Sequence, residues 1–367
     1  MKYYLIAGEA SGDLHGSNLM RAIRAEDPAA EFRFWGGDKM QAVAQTEPVK
    51  HIRHLAFMGF WEVLSHLREI TSNISFCKKD MAAWQPDVVI LIDYPGFNFR
   101  LLPFLQQQKM RVFYYIAPQV WAWKEGRIEK LKKYVDRLFV IFPFEKKYFE
   151  DRGLPVDFVG HPLLDALPDI ATFQQTTSKQ IALVPGSRKK VVQYLLPEYL
   201  KIVDAFPEYE FVVTGTSLLG EAFYRKLMGS ARAKLVIDGT YHVLQQSTAA
   251  LVTSGTATLE TALLGVPEVI CYKGNPVSVW LARRLVKKIS FIGMVNLIAG
   301  RKVVAELIQE ELNAYNLITE LRAILEKGRR EKVLADYEEV RRLLGSAGAS
   351  ARAAKLMVGY LKNEPKS

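Results

Sequence analysis

Six stretches of the chain place reactive side chains just after apolar runs. Asp93 follows the run Val88–Ile92 in IDYPGFN and precedes a Tyr-Pro-Gly turn. A carboxylate held at a strand end can take the proton of a hydroxyl, or it can cap the turn that follows. IAGEASGDLHG, residues 6–16, runs from a short strand through Gly8 and Gly12 into a helix. Glycines there let a ligand approach backbone N–H groups at a helix start. The same segment also reads as a tight turn with Ser11 or Asp13 as the helix cap. It lacks the GxGxxG spacing of a dinucleotide site.

LVPGSRKKVV, residues 183–192, sets Arg188 behind a Gly-Ser turn, where a guanidinium suits two phosphate oxygens at once. Lys189 and Lys190 read as solvated, and the Walker spacing is absent. TSGTATLETALLGVP, residues 253–267, delivers Ser254, Gly255 and Thr256 to a helix start, a natural diphosphate site. Glu260, one turn further on, could accept from two ribose hydroxyls or serve only as a helix-favourable residue. APQVWAWKEGR, residues 117–127, holds two tryptophans that read either as a sugar-stacking loop or as core. In VNLIAGRKVVAELIQEE, residues 295–311, Asn296 precedes a small-residue turn and what reads as an amphipathic helix; its partners are backbone or ligand.

These residues need a scaffold that brings strand ends together. Strands are expected at Tyr3–Ala7, Glu31–Trp35, Val88–Ile92, Arg111–Ile116 and Leu138–Phe142, with helical stretches between them. The pattern lapses around Leu163–Lys179 and restarts with strands at Ile181–Val184, Phe211–Thr214, Leu235–Ile237, Ala250–Val252 and Glu268–Tyr272. Such alternation predicts an α/β protein of two Rossmann-like, doubly wound domains facing across a cleft. The expected bounds are 1–165 and 178–340. A C-terminal helix over 341–367 packs back on the first domain or on a partner subunit.

A length of 367 residues fits two domains, and 49% hydrophobic with 24% charged residues fits a globular chain. Cys77 and Cys271 read as reduced core residues. No stretch approaches the roughly 20 apolar residues of a spanning helix, and the N-terminal apolar run is too short for a signal peptide. The net charge of +10 favours a polyanionic partner without choosing among nucleic acid, an anionic membrane and phosphorylated substrates. Ordered strand-end motifs, with the basic residues mostly in helices beside them, argue against nucleic acid.

Taken in order, AGEASGD, IDYPGFN, PQVWAW, FPFEKKYF, VGHPLLD, PGSRKK, SGTATLE and VNLIAGR resemble the blocks of the lipid-A-disaccharide synthases. The resemblance covers approximately residues 2–360. That family comprises inverting glycosyltransferases of the two-domain GT-B type. The resemblance implies transfer of 2,3-diacylglucosamine from UDP-2,3-diacylglucosamine to 2,3-diacylglucosamine 1-phosphate, giving a β-1,6 disaccharide 1-phosphate and UDP. It implies Asp93 as general base, Ser11 and Asn296 as residues of the reaction, and Gly8, Glu9, Gly12, Arg188, Ser254, Gly255, Thr256 and Glu260 as substrate or UDP contacts. The chain departs from the family at Gly96, where many members carry a second Asp.

No Asp-x-Asp or His/carboxylate cluster suits a metal, so neither metal nor cofactor is expected. His161, in VGHP, lines the cleft or is structural. Peripheral attachment to the cytoplasmic face of the inner membrane is expected from the apolar stretch Leu55–Trp84 and from VWLARRLVKK at 279–288. The expected partners are the two acylated substrates and an anionic membrane surface, with a homodimer as the candidate assembly. The competing readings are another UDP-sugar enzyme of the same fold, such as an epimerase, and a non-catalytic membrane-surface protein.

Overall fold

The computed structural model describes residues 1–55, 67–118, 120, 125–167, 178–275 and 291–363. Trp121, Trp123, the apolar residues Phe57 to Leu64 and the whole of 279–288 lie outside these. The chain divides into two compact units. The first comprises Met1–Leu167 with Leu344–Ser367, and the second Pro168–Leu343.

Unit 1 is built on a seven-stranded sheet: β1 (Lys2–Ile6), β2 (Glu31–Gly36), β3 (Lys50–His51), β4 (Val88–Ile92), β5 (Val112–Tyr115), β6 (Arg137–Val140) and β7 (Asp157–Phe158). The order is β3-β2-β1-β4-β5-β6-β7, and every pairing is parallel. The central strand β4 reads VVILI and is buried along its whole length. A parallel strand covered by helices on both faces needs such an uninterrupted apolar run. From β1 the chain winds outward through β2 and β3, then crosses back to β4 on the other side of β1. The carboxyl ends of β1 and β4 therefore flank the point where the winding reverses, and open α/β sheets bind ligands there.

The last helix, Ala349–Asn363, packs on helix α1 (Ala10–Glu26) of this unit. Asp165 fixes its start by accepting from the N–H groups of Gly348 (2.6 Å), Ala349 (3.1 Å) and Ser350 (2.7 Å). A carboxylate across a helix N-terminus satisfies donors that have no partner inside the helix.

Unit 2 repeats the plan with six strands: β8 (Gln180–Val184), β9 (Glu210–Gly215), β10 (Ala233–Ile237), β11 (Ala249–Thr253), β12 (Glu268–Tyr272) and β13 (Glu306–Ile308). The order is β10-β9-β8-β11-β12-β13, again parallel throughout. Here the winding reverses between β8 and β11. The segment after Asn296 departs from expectation. Asn296 lies inside a short helix, Met294–Ala299, and the expected amphipathic helix is instead a turn at Gly300 followed by the edge strand β13. Pairing of Glu306, Leu307 and Ile308 with β12 outweighs the helical spacing of that segment.

Cys77 and Cys271 are buried free thiols. Among the described residues no helix is long and apolar enough to cross a membrane.

Candidate active site and nucleotide site

In unit 1 the loops after β1 and β4 lie side by side. The N–H of Asp93 completes the sheet by donating to the Tyr115 carbonyl at 3.1 Å. The backbone then turns left-handed at two successive residues, Asp93 (φ 42°) and Tyr94 (φ 48°). For residues with a β-carbon such conformations cost of order 1–3 kcal/mol each, and they persist where surrounding contacts enforce them. The Tyr94 ring stacks on Phe97, with centroids 5.4 Å apart, and Phe97 packs on Trp35 at 5.3 Å. On its other side the Tyr94 ring covers Gly8. A β-carbon on Gly8 would lie 2.4 Å from ring carbons of Tyr94. Gly8 is thus required by the close approach of the β4 loop.

Asp93 is exposed to solvent on one side, yet protein crowds its carboxyl on the others. Loss of hydration comes first and the nearby Glu9 carboxylate second, and together they push its pKa up to about 7; the Tyr94 N–H works the other way. Water on the open side tempers this rise without reversing its direction. Glu9 occupies the cap position of α1 and makes no side-chain capping bond there. Ser11 is half-buried in the first turn of that helix.

Two of the sequence expectations for this loop take a different form. Gly12 is a packing residue, since a β-carbon there would stand 3.2 Å from that of Ala7. Asp13 caps the neighbouring helix α2 (Asp38–Ala44) and not its own, accepting from the N–H groups of Gly37 (2.7 Å), Lys39 (3.1 Å) and Met40 (3.0 Å). His161 is buried against Phe142, and its Nδ1 accepts from the Leu163 N–H at 3.2 Å. Burial, and then His15, hold its pKa down at about 3, so the ring is neutral.

In unit 2 the loops after β8 and β11 are neighbours in the same way. Gly186 has φ 93°, and a β-carbon there would meet Thr253 Cγ2 at 2.9 Å, so the Pro-Gly-Ser turn lies directly against the end of β11. Arg188 is exposed at the cap position of the helix Lys189–Leu200. Gly255, with φ 145°, caps the helix Thr256–Leu263, and Gly255 and Thr256 are exposed. That leaves a glycine-led helix start open to an anion. Glu260 is half-buried one turn in, and one of its oxygens accepts from the Tyr241 hydroxyl at 3.0 Å. Loss of hydration raises its pKa, and Tyr241 opposes the rise. Tyr241 carries no motif in the sequence; only the fold brings it to Glu260.

Asn296 is committed to the fold, and Ser254 spends its hydroxyl proton there. The Ser254 hydroxyl donates to the Ile292 carbonyl at 3.0 Å. Asn296 is fully buried. Its Nδ2 donates to the Val304 carbonyl (3.0 Å) and to Glu306 Oε1 (2.8 Å), and its Oδ1 accepts from the N–H groups of Val303 (2.7 Å) and Val304 (3.1 Å). This uses the whole hydrogen-bonding capacity of the amide, so a direct part in the reaction does not fit the geometry. Glu306 in turn accepts from the N–H groups of Ile292 (2.9 Å) and Gly293 (3.0 Å), just ahead of the Met294 helix, and the Met294 N–H donates to Thr258 Oγ1 at 3.2 Å. Asn296 therefore bears on the Gly255 helix start through the 292–294 segment.

A family model described as lipid-A-disaccharide synthetase matches residues 3–358. The lipid-A-disaccharide synthase of Geobacter metallireducens is 38% identical over 97% of this chain and 96% of its own length. That of Coxiella burnetii is 34% identical over 96% of each. Among solved structures, the UDP-GlcNAc 2-epimerase of Neisseria meningitidis bound to UDP-GlcNAc aligns with a TM-score of 0.67 at 14% identity, over 98% of this chain and all of that one. A kitacinnamycin glycotransferase aligns with a TM-score of 0.65 at 14% identity, over 98% and 99%. At that identity the likeness establishes the fold, a two-domain α/β architecture shared by glycosyltransferases and epimerases. The sequence relatives and the family model establish more: the chain is a member of the lipid-A-disaccharide synthase family of glycosyltransferases.

Proposed function

We propose that this chain transfers 2,3-diacylglucosamine from UDP-2,3-diacylglucosamine to the 6-hydroxyl of 2,3-diacylglucosamine 1-phosphate, with inversion at C1. The match to the family over residues 3–358 supports the substrates of this reading, and Asp93 supports its chemistry: a carboxylate at the carboxyl end of β4, open to solvent on one side, with its pKa raised by crowding and by Glu9. A base tuned close to working pH combines a useful ionised fraction with a useful affinity for the proton. The acceptor O6 forms a bond to C1 as the bond from C1 to the diphosphate oxygen breaks. The hydroxyl proton passes to Asp93 and then to solvent, and UDP leaves with the electron pair. Ser11 and Glu9 lie on the same loop pair and meet the reacting sugars, while Gly8, buried under the Tyr94 ring, holds the two loops together.

Unit 2 takes the nucleotide. The exposed helix start at Gly255 and Thr256, with Arg188, answers the diphosphate charge, which grows as the bond to C1 breaks. The Glu260 oxygen not held by Tyr241 accepts from the ribose. The acyl chains of both substrates favour a protein peripheral to the cytoplasmic face of the inner membrane, and the net charge of +10 suits an anionic surface. Nucleic acid is not a partner in this reading, and a homodimer is the assembly to test for.

The epimerase reading has support from the fold alone, at 14% identity, against relatives 34–38% identical along nearly the whole chain. One incubation separates them. Purified protein is given UDP-diacylglucosamine and the monosaccharide 1-phosphate, and products are identified by mass. Free UDP and a disaccharide 1-phosphate in equal amounts support transfer; an isomerised UDP-sugar, with the acceptor unconsumed, refutes it.

A further inference from the structure

The left-handed pair Asp93-Tyr94 is held by two side chains that converge on one atom. Tyr114, from the neighbouring strand β5, donates its hydroxyl to the Asp93 carbonyl oxygen at 2.6 Å. Asn98, from the following helix Pro95–Gln107, donates Nδ2 to the same oxygen at 2.7 Å. Both donors are fully buried. A carbonyl oxygen has two lone pairs, so this acceptor is saturated. Asn98 leaves its own Oδ1 buried without a hydrogen-bond partner. A buried polar atom left unsatisfied is costly, so this amide is turned to serve Asp93 at the expense of its own oxygen.

The carbonyl of Asp93 and the N–H of Tyr94 belong to one peptide group. Tyr114 and Asn98 grip its oxygen, and its N–H stabilises the Asp93 carboxylate. Fixing that peptide plane fixes both the direction in which the Asp93 side chain leaves the backbone and the donor that faces its charge. A free Asp-Tyr pair would relax toward right-handed or extended backbone.

We propose that Tyr114 and Asn98 are positioning residues for the reaction, acting together through the Asp93 carbonyl oxygen to hold the general base in its strained, productive geometry. Neither touches substrate. The inference rests on Asp93 being the base, and the test keeps the two apart.

Tyr114→Phe removes one oxygen and leaves the ring in the core. With UDP-diacylglucosamine and the acceptor, kcat should fall by about tenfold to a hundredfold, the range that small misplacements of a reacting group produce. KM for both substrates should stay within about twofold. The acid limb of kcat/KM should move to higher pH, because the Tyr94 N–H no longer faces the carboxylate. Asn98→Ala, an independent variant should Tyr114→Phe fold poorly, should show the same signature. Added to Asp93→Asn, Tyr114→Phe should cost almost nothing further, since its effect runs through a carboxylate already gone. An equal loss in both backgrounds would overturn the proposal. So would a Tyr114→Phe enzyme with lower thermal stability but unchanged kcat and pH limb, while an inactive Asp93→Asn still upheld the base. An active Asp93→Asn enzyme removes the base and the positioning role together.

Discussion

The aromatic ring of Tyr94 lies on the α-carbon of Gly8, so close that a β-carbon at Gly8 would stand 2.4 Å from the ring carbons. One contact thus couples the β1 loop to the β4 loop. Gly8→Ala must displace the ring, and the ring shares its backbone turn with Asp93. The expected outcome is a loss of about a hundredfold in kcat, since a displacement of around 1 Å at a reacting group costs that much. Circular dichroism should show the fold retained. Steady-state kinetics on the purified variant checks this, and wild-type turnover would show that the ring can move without consequence.

The pH dependence follows from Asp93 and its neighbour. With its pKa raised above the ordinary carboxylate range, Asp93 loses its basic form as pH falls, and kcat/KM should drop toward tenfold per unit below that raised pKa. Glu9 contributes to the rise through its charge. Glu9→Gln should move the acid limb to lower pH. A limb that stays in place would remove Glu9 from the tuning of the base.

Asn296 should behave as a residue of the fold. Asn296→Ala leaves the buried N–H groups of Val303 and Val304 without their acceptor and Glu306 without one donor. The expected cost is more than about 2 kcal/mol of stability, with a lowered melting temperature and weakened UDP binding through the 292–294 segment. A variant with wild-type melting temperature and lost turnover would instead return Asn296 to the chemistry.

Much of this was legible in the sequence. The run VVILI announces a buried central strand, because a parallel strand covered on both faces writes itself as continuous apolar residues. The short edge strands β3 and β7 have two residues each and leave no such trace. The strand β13 was hidden because ELI carries no period of its own and sits in a segment with helical spacing. The place of Asp93 at the end of a strand is readable in the sequence. The residue's left-handed backbone and its clamp are not, because Tyr114 is read in sequence as one more apolar strand residue and only the pairing of β5 with β4 brings it beneath Asp93. For Asn296 and Ser254 only the hydrogen-bond partners show how each side chain is engaged internally.

The proposed reaction turns on Asp93 as its base. Asp93→Asn keeps the shape of the side chain and removes the basic oxygen. The crowded carboxyl also gives the accompanying change in stability a sign. The folded pKa lies above the ordinary value of 3.8, so the native state binds the proton more tightly than the unfolded chain does. Stability contributed by the protonated group is present below the unfolded pKa and is lost as pH rises toward 7. At pH 8 the Asn variant should therefore melt somewhat above the wild type, with the difference shrinking toward pH 4. The decisive measurement is kcat of Asp93→Asn at pH 8, made with UDP affinity and melting temperature on the same preparation. The account predicts a loss of at least about 100-fold in kcat, near-normal UDP affinity and an equal or higher melting temperature; near wild-type kcat, or a loss matched by a collapse in stability, would contradict it.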